Sequence, residues 1–189
     1  HQQMGIDDVM AGFASNDRGR LIMACGTGKT LTGLWLAEEH RSERTLVFVP
    51  TIGLVSQISK EWQGNSGEPF RSLYVCSDKT VAAEFGYDAF LSKTSQLGSP
   101  VTTDPDKLKR FLEGPGRRVV FSTYQSSAVI KDAQDRGAPS FDLVIGDEAH
   151  HCVGKVDSPF TTVLDAASIR AKKRIFMTAT PNRLAANIR

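Results

Sequence analysis

Three short runs in this chain carry side chains that could do chemistry. The first is Met23-Ala24-Cys25-Gly26-Thr27-Gly28-Lys29-Thr30. Its glycines leave the backbone unobstructed, so the N–H groups of Gly26, Thr27 and Gly28 can curl into an anion nest, and a helix starting at Lys29 adds its positive end. Lys29 supplies an ammonium for the β and γ oxygens of a nucleoside triphosphate, and the Thr30 hydroxyl supplies a coordination position on Mg²⁺. The full phosphate-loop pattern has Gly where this chain has Met23, so the match lies in the Gly-x-Gly-Lys-Thr end. The second run is Asp147-Glu148-Ala149-His150, directly after the apolar Leu143-Val144-Ile145-Gly146. Two adjacent carboxylates at a strand end are costly without a cation. Asp147 is therefore assigned to Mg²⁺, directly or through water, and Glu148 to orienting and deprotonating the water that attacks the γ-phosphate. In the third run, Thr178-Ala179-Thr180-Pro181, two hydroxyls and a breaker follow the apolar Arg174-Ile175-Phe176-Met177.

Other chemistries fit less well. His150, His151 and Cys152 suggest a metal site, but structural zinc wants four ligands at patterned spacings, and Cys25 and Cys76 are distant in sequence. His150 is instead expected to hydrogen-bond across the sheet edge. A P-loop kinase would need an arginine-rich lid segment, which is not found, and a carboxylate pair suits water activation. A non-catalytic nucleotide-sensing P-loop module stays open, since the same loop can bind without turnover.

Elements that could position these runs alternate between short apolar stretches and amphipathic ones, the rhythm of βαβ units. Strands are expected at Arg20 to Ala24, Thr45 to Val49, Leu73 to Cys76, Val119 to Thr123, Leu143 to Gly146 and Arg174 to Thr178. Helices are expected at Lys29 to His40 and Ile52 to Trp62, each with apolar residues at helical spacing. The fold class that follows is α/β, a doubly wound parallel sheet with helices on both faces. The stretch from Ser77 to Gly116 is long for a connection and reads as an insertion. It holds one helix over Val81 to Leu91 and another capped by Asp104-Pro105 and running to Leu112. As a partner site or a surface excursion it is equally well explained.

A chain of 189 residues suits one domain, and no linker divides it. Apolar runs stop far short of the roughly 20 residues that span a bilayer, so no membrane association is expected. Three scattered cysteines argue for a reducing compartment, and a cytoplasmic location follows. A net charge of +2 falls short of the footprint of a domain that holds nucleic acid by charge alone. The chain opens on His1-Gln2-Gln3 instead of an initiator Met, and a fragment of something longer is expected.

Taken in order, Gly-Thr-Gly-Lys-Thr, Asp-Glu-Ala-His and Thr-Ala-Thr at strand ends are far more specific than any one of them. With them the chain resembles the DEAD/DEAH-box-like superfamily 2 helicases over essentially its whole length. The resemblance implies a RecA-like P-loop NTPase domain, the first of two motor lobes, that binds ATP and Mg²⁺ and couples hydrolysis to movement on nucleic acid. It also implies that Gln2 reads adenine, that Thr51 touches a nucleic-acid phosphate, and that Ser122 or Thr123 adds backbone contacts. His150, Thr178 and Thr180 would couple the nucleotide state to the nucleic-acid grip. The wording around Leu73 to Asp78, Ser122 to Ser126 and Thr178 to Pro181 is most similar to helicase subunits of restriction-type bacterial systems, which favours double-stranded DNA over RNA as partner. The family's second RecA-like lobe, which supplies arginine fingers, has no counterpart after Pro181, so weak turnover is expected of these residues alone.

Overall fold

The structure is a computed structural model and describes residues 2–24, 26–76, 100–147 and 168–179. Its centre is a seven-stranded sheet in which every neighbouring pair is parallel. In chain order the elements are α1 (Gln2–Phe13), β1 (Arg18–Ile22), α2 (Lys29–Glu39), β2 (Arg44–Val49), α3 (Ile52–Asn65), β3 (Arg71–Val75), β4 (Val101–Thr102), α4 (Pro105–Glu113), β5 (Arg118–Thr123), α5 (Ser127–Asp135), β6 (Phe141–Gly146) and β7 (Ala171–Thr178). The strands lie side by side in the order β1-β7-β6-β2-β5-β3-β4.

The period of two in each strand sends side chains to two separate cores. Val47 and Val49 of β2 join Ile145, Ile175 and Met177 under α1, α2 and α3, while Leu46 and Phe48 join Val120, Val144 and Phe176 under α4 and α5. This is the doubly wound sheet with helices on both faces that the sequence predicts. All six expected strands form. The first is displaced by two residues, because pairing with β7 starts at Arg18↔Arg174 and ends at Ile22↔Thr178. Beyond Ile22 the chain leaves the sheet, and the Thr27 amide and hydroxyl both donate to the Ala24 carbonyl at 3.3 and 2.7 Å.

The helix ends follow their local chemistry. Thr51 caps α3 by accepting the Leu54 N–H, and Asp104 caps α4 by accepting the Asp106 N–H, with Pro105 opening that helix. Helix α4 is part of the domain core, since Leu108 and Leu112 are fully buried against Leu46, Leu73 and Val120. Residues 101–113 of the stretch read as an insertion thus contribute an edge strand and a covering helix. The expected helix at 81–91 lies outside the described residues. At the N-terminal edge, the Asp142 carboxylate accepts N–H groups from Glu43 and Arg44 at 3.0 and 2.9 Å and pairs with Lys172 at 2.7 Å. Among the described residues no helix is long and apolar enough to cross a membrane.

Candidate functional site

Parallel strands bring their C-terminal ends to one edge, where an open α/β sheet takes its ligand. Along that edge stand, in spatial order, the phosphate loop after β1, Thr178 ending β7, Asp147 after β6, Thr51 after β2, and Ser122 and Thr123 ending β5. One cleft of about 620 Å³ opens there, lined by Gly26, Gly28, Lys29, Thr30, Asp147 and the α3 residues Gln57 and Glu61. Gly26 and Asp147, far apart in sequence, therefore share a single cavity.

The loop has the backbone that its glycines permit. Gly26 and Gly28 sit at φ of 76° and 85°, in the left-handed region that side chains disfavour. Space beside Gly26 is open, and no side chain caps α2, whose N-cap is Gly28. No acidic residue lies in the first turn of α2 either, and a glycine-capped helix start of this kind suits anionic oxygens. Lys29 is only 9% exposed, and its Nζ reaches the Met23 carbonyl at 3.5 Å. Across the cleft Asp147 is 6% exposed. A hydroxyl from Thr30 and a carboxylate from Asp147 lining one cavity are hard oxygen donors of the kind Mg²⁺ takes when phosphate oxygens and water fill its other positions. Among the described residues no three His, Cys, Asp or Glu side chains are grouped so as to hold a metal ion.

Gln2, the expected adenine reader, lies against this loop. Its Nε2 donates to the Thr27 carbonyl at 3.0 Å, and a Cβ on Gly28 would stand 2.0 Å from the same nitrogen. Thr51 is half-buried, and its hydroxyl is engaged in capping α3, whose N-terminus it presents at the edge. Ser122 and Thr123 end β5 along this edge. Both are fully buried: Ser122 donates to the Val75 and Thr123 carbonyls, and Thr123 donates to the Ser126 hydroxyl. Their hydroxyls tie β5 to β3 and close the following turn. Thr178 is also fully buried. Glu148, His150 and Thr180 lie outside the described residues, as do His151, Cys152 and Cys25.

Two residues to which the sequence reading gave no role in the site have a part in it. The Trp62 indole donates to the Thr30 carbonyl at 2.9 Å, pinning the first turn of α2 to α3. Tyr124, fully buried, donates its hydroxyl to the Asp147 carbonyl at 2.8 Å. A tryptophan polar atom in an otherwise apolar helix face, and a glycine inside the strand before Asp147, were the available signals.

Comparison with known proteins gives the same picture. The family model described as "Type III restriction enzyme, res subunit" matches residues 1–183. A nuclease-deletion mutant of the Type ISP restriction-modification enzyme LlaGI, solved in complex with a DNA substrate mimic, is 36% identical with a TM-score of 0.76, covering 95% of this chain and 17% of that one. The ATP-dependent Type ISP restriction-modification enzyme LlaBIII, bound to DNA, is 34% identical with a TM-score of 0.81, covering 95% of this chain and 12% of that one. The Hef helicase domain of Pyrococcus furiosus, 19% identical with a TM-score of 0.59 over 97% of this chain and 34% of that one, shares the RecA-like fold. A search of curated protein sequences returns no match.

Proposed function

We propose that this chain, which belongs to the Type III restriction enzyme res subunit family of helicase-type ATP hydrolases, is the ATP-binding lobe of a motor that couples ATP hydrolysis to movement on double-stranded DNA. The observation that carries the reading is the shared cleft, where a glycine loop, a buried lysine and a buried aspartate meet at the C-terminal edge. DNA as the track is supported by the two Type ISP relatives, both solved with DNA or its mimic.

In this reading Gly26, Thr27 and Gly28 hold the polyphosphate through backbone N–H groups, and Lys29 neutralises the β and γ oxygens. Thr30 and Asp147 hold Mg²⁺, which screens charge developing between those oxygens. Glu148 orients the attacking water and takes its proton, and Gln2 leaves Thr27 to meet the adenine. Thr51 and the N-terminus of α3 take a DNA phosphate. His150, Thr178 and Thr180 pass the nucleotide state to the DNA grip. A second RecA-like lobe, outside residues 1–189, supplies an arginine finger, a group with an effect of about 10³ to 10⁵ on rate. Residues 1–189 alone therefore bind nucleotide and turn it over slowly.

The test is displacement of a third strand from triplex DNA by the complete protein, which requires movement along duplex. ATP-dependent displacement that Glu148→Gln abolishes is the expected result. Intact ATP binding without displacement by the wild-type protein would favour the nucleotide-sensing alternative instead, and displacement retained in Glu148→Gln would overturn the role given to Glu148.

A further inference from the structure

Asp147 is held by its backbone from two directions. Its N–H donates to the Phe48 carbonyl at 2.9 Å, and its carbonyl accepts the Tyr124 hydroxyl at 2.8 Å. The Tyr124 ring lies stacked on Phe48, with centroids 5.4 Å apart and planes 18° from parallel. Tyr124 thus reaches from the end of β5, over β2, to the turn after β6. Gly146 admits it: a Cβ there would stand 3.1 Å from the hydroxyl and 3.0 Å from Phe176 Cδ1. A methyl there would make both neighbours give by a few tenths of an ångström.

A phenylalanine would fill this part of the core as well as tyrosine does. Burying a hydroxyl is unfavourable unless it finds a partner. The partner here is the main chain of the residue read as holding Mg²⁺. Tyr124 also opens the turn Tyr124–Ser126 between β5 and α5, closed by the Thr123 to Ser126 hydroxyl bond. The two turns are therefore joined across β2 by one side chain.

We propose that Tyr124 is a positioning residue for Asp147, setting the affinity of the site for its divalent cation and linking that site to the turn between β5 and α5. The inference rests on the reading of Asp147 as a Mg²⁺ ligand.

The experiment uses the complete protein as wild type, Tyr124→Phe, Gly146→Ala and Asp147→Asn. Mn²⁺ affinity is measured by electron paramagnetic resonance with a non-hydrolysable ATP analogue bound, together with amide hydrogen exchange at Asp147. Tyr124→Phe is expected to melt within a few degrees of wild type, to bind Mn²⁺ at least fivefold more weakly, and to exchange the Asp147 amide at least tenfold faster. Gly146→Ala, whose methyl crowds the hydroxyl, should weaken Mn²⁺ binding in the same direction. Analogue affinity without metal should stay within twofold in both. Unchanged Mn²⁺ affinity in the two variants overturns the proposal even if exchange is faster, because Tyr124 is then merely a satisfied core hydroxyl. Unchanged Mn²⁺ affinity in Asp147→Asn overturns instead the reading of Asp147 as a metal ligand.

Discussion

Gly28→Ala tests how the glycine loop before α2 is built. Gly28 has a φ of 85°, and an alanine held in the left-handed region costs about 1 to 2 kcal/mol. Alanine also restricts the unfolded chain, which returns about 0.4 to 1 kcal/mol. A second cost is steric: the new methyl would stand 2.0 Å from Gln2 Nε2, so Gln2 must withdraw and give up its 3.0 Å bond to the Thr27 carbonyl. A partly exposed bond of that kind contributes about 0.5 to 1 kcal/mol. The sum is a loss of roughly 1 to 2 kcal/mol, or a melting temperature lowered by about 2 to 8 °C for a domain of this size. Urea unfolding of Gly28→Ala, Gln2→Ala and the double variant separates the two parts. With Gln2 already truncated, the Gly28→Ala loss should shrink by about 0.5 to 1 kcal/mol, the value of the released contact. Affinity for a fluorescent ATP analogue should fall at least tenfold whenever Gly28 is replaced, because the methyl narrows the loop's approach to phosphate. An identical Gly28→Ala loss in both backgrounds would refute the Gln2 contact, and no loss in either would refute the left-handed backbone.

Trp62→Phe removes the donor to the Thr30 carbonyl and leaves a small void, so it should cost about 2 to 3 kcal/mol in urea unfolding and weaken ATP-analogue binding several-fold. Acidification should act in two stages. Burial outweighs the attraction of Asp142 and lowers the His40 pKa, so the fold favours neutral His40; that stability is present above about pH 6.5 and is lost as pH falls below it. Urea midpoints should accordingly drop from pH 7 to pH 5 in wild type and drop less in His40→Gln. Burial pushes the Asp142 carboxyl up, but Lys172 and the N–H groups of Arg44 and Glu43 outweigh it and hold the carboxyl below its ordinary value of 3.8. Its contribution is present above that pH and lost as pH falls through the lower folded value. Asp142→Asn should therefore cost about 1 to 3 kcal/mol at pH 7 and almost nothing in strong acid.

The apolar strands were legible because parallel strands are buried on both sides and read as continuous runs, as in Leu46-Val47-Phe48-Val49. The glycine turn after β1 was legible because Gly26 and Gly28 are needed for its backbone shape. Helix α1 was not, since Gly5 and Gly12 interrupt it and only Ile6, Val9 and Phe13 are buried. Helix α5 is short and buries Ser127 and Gln134 beside Ile130 and Ala133, which blurs its apolar face. Ser122 and Thr123 show the limit of reading polarity from residue type: hydroxyls that resemble ligand contacts are satisfied inside the sheet. The reach of Tyr124 to Asp147 depends on strand order, which no local pattern states.

The most direct test of the motor reading is the ATPase rate of the complete protein with and without double-stranded DNA, single-stranded DNA and RNA, in wild type and Lys29→Ala. The expected result is stimulation by double-stranded DNA that Lys29→Ala abolishes. Intact ATP binding without stimulation by any polymer would contradict it.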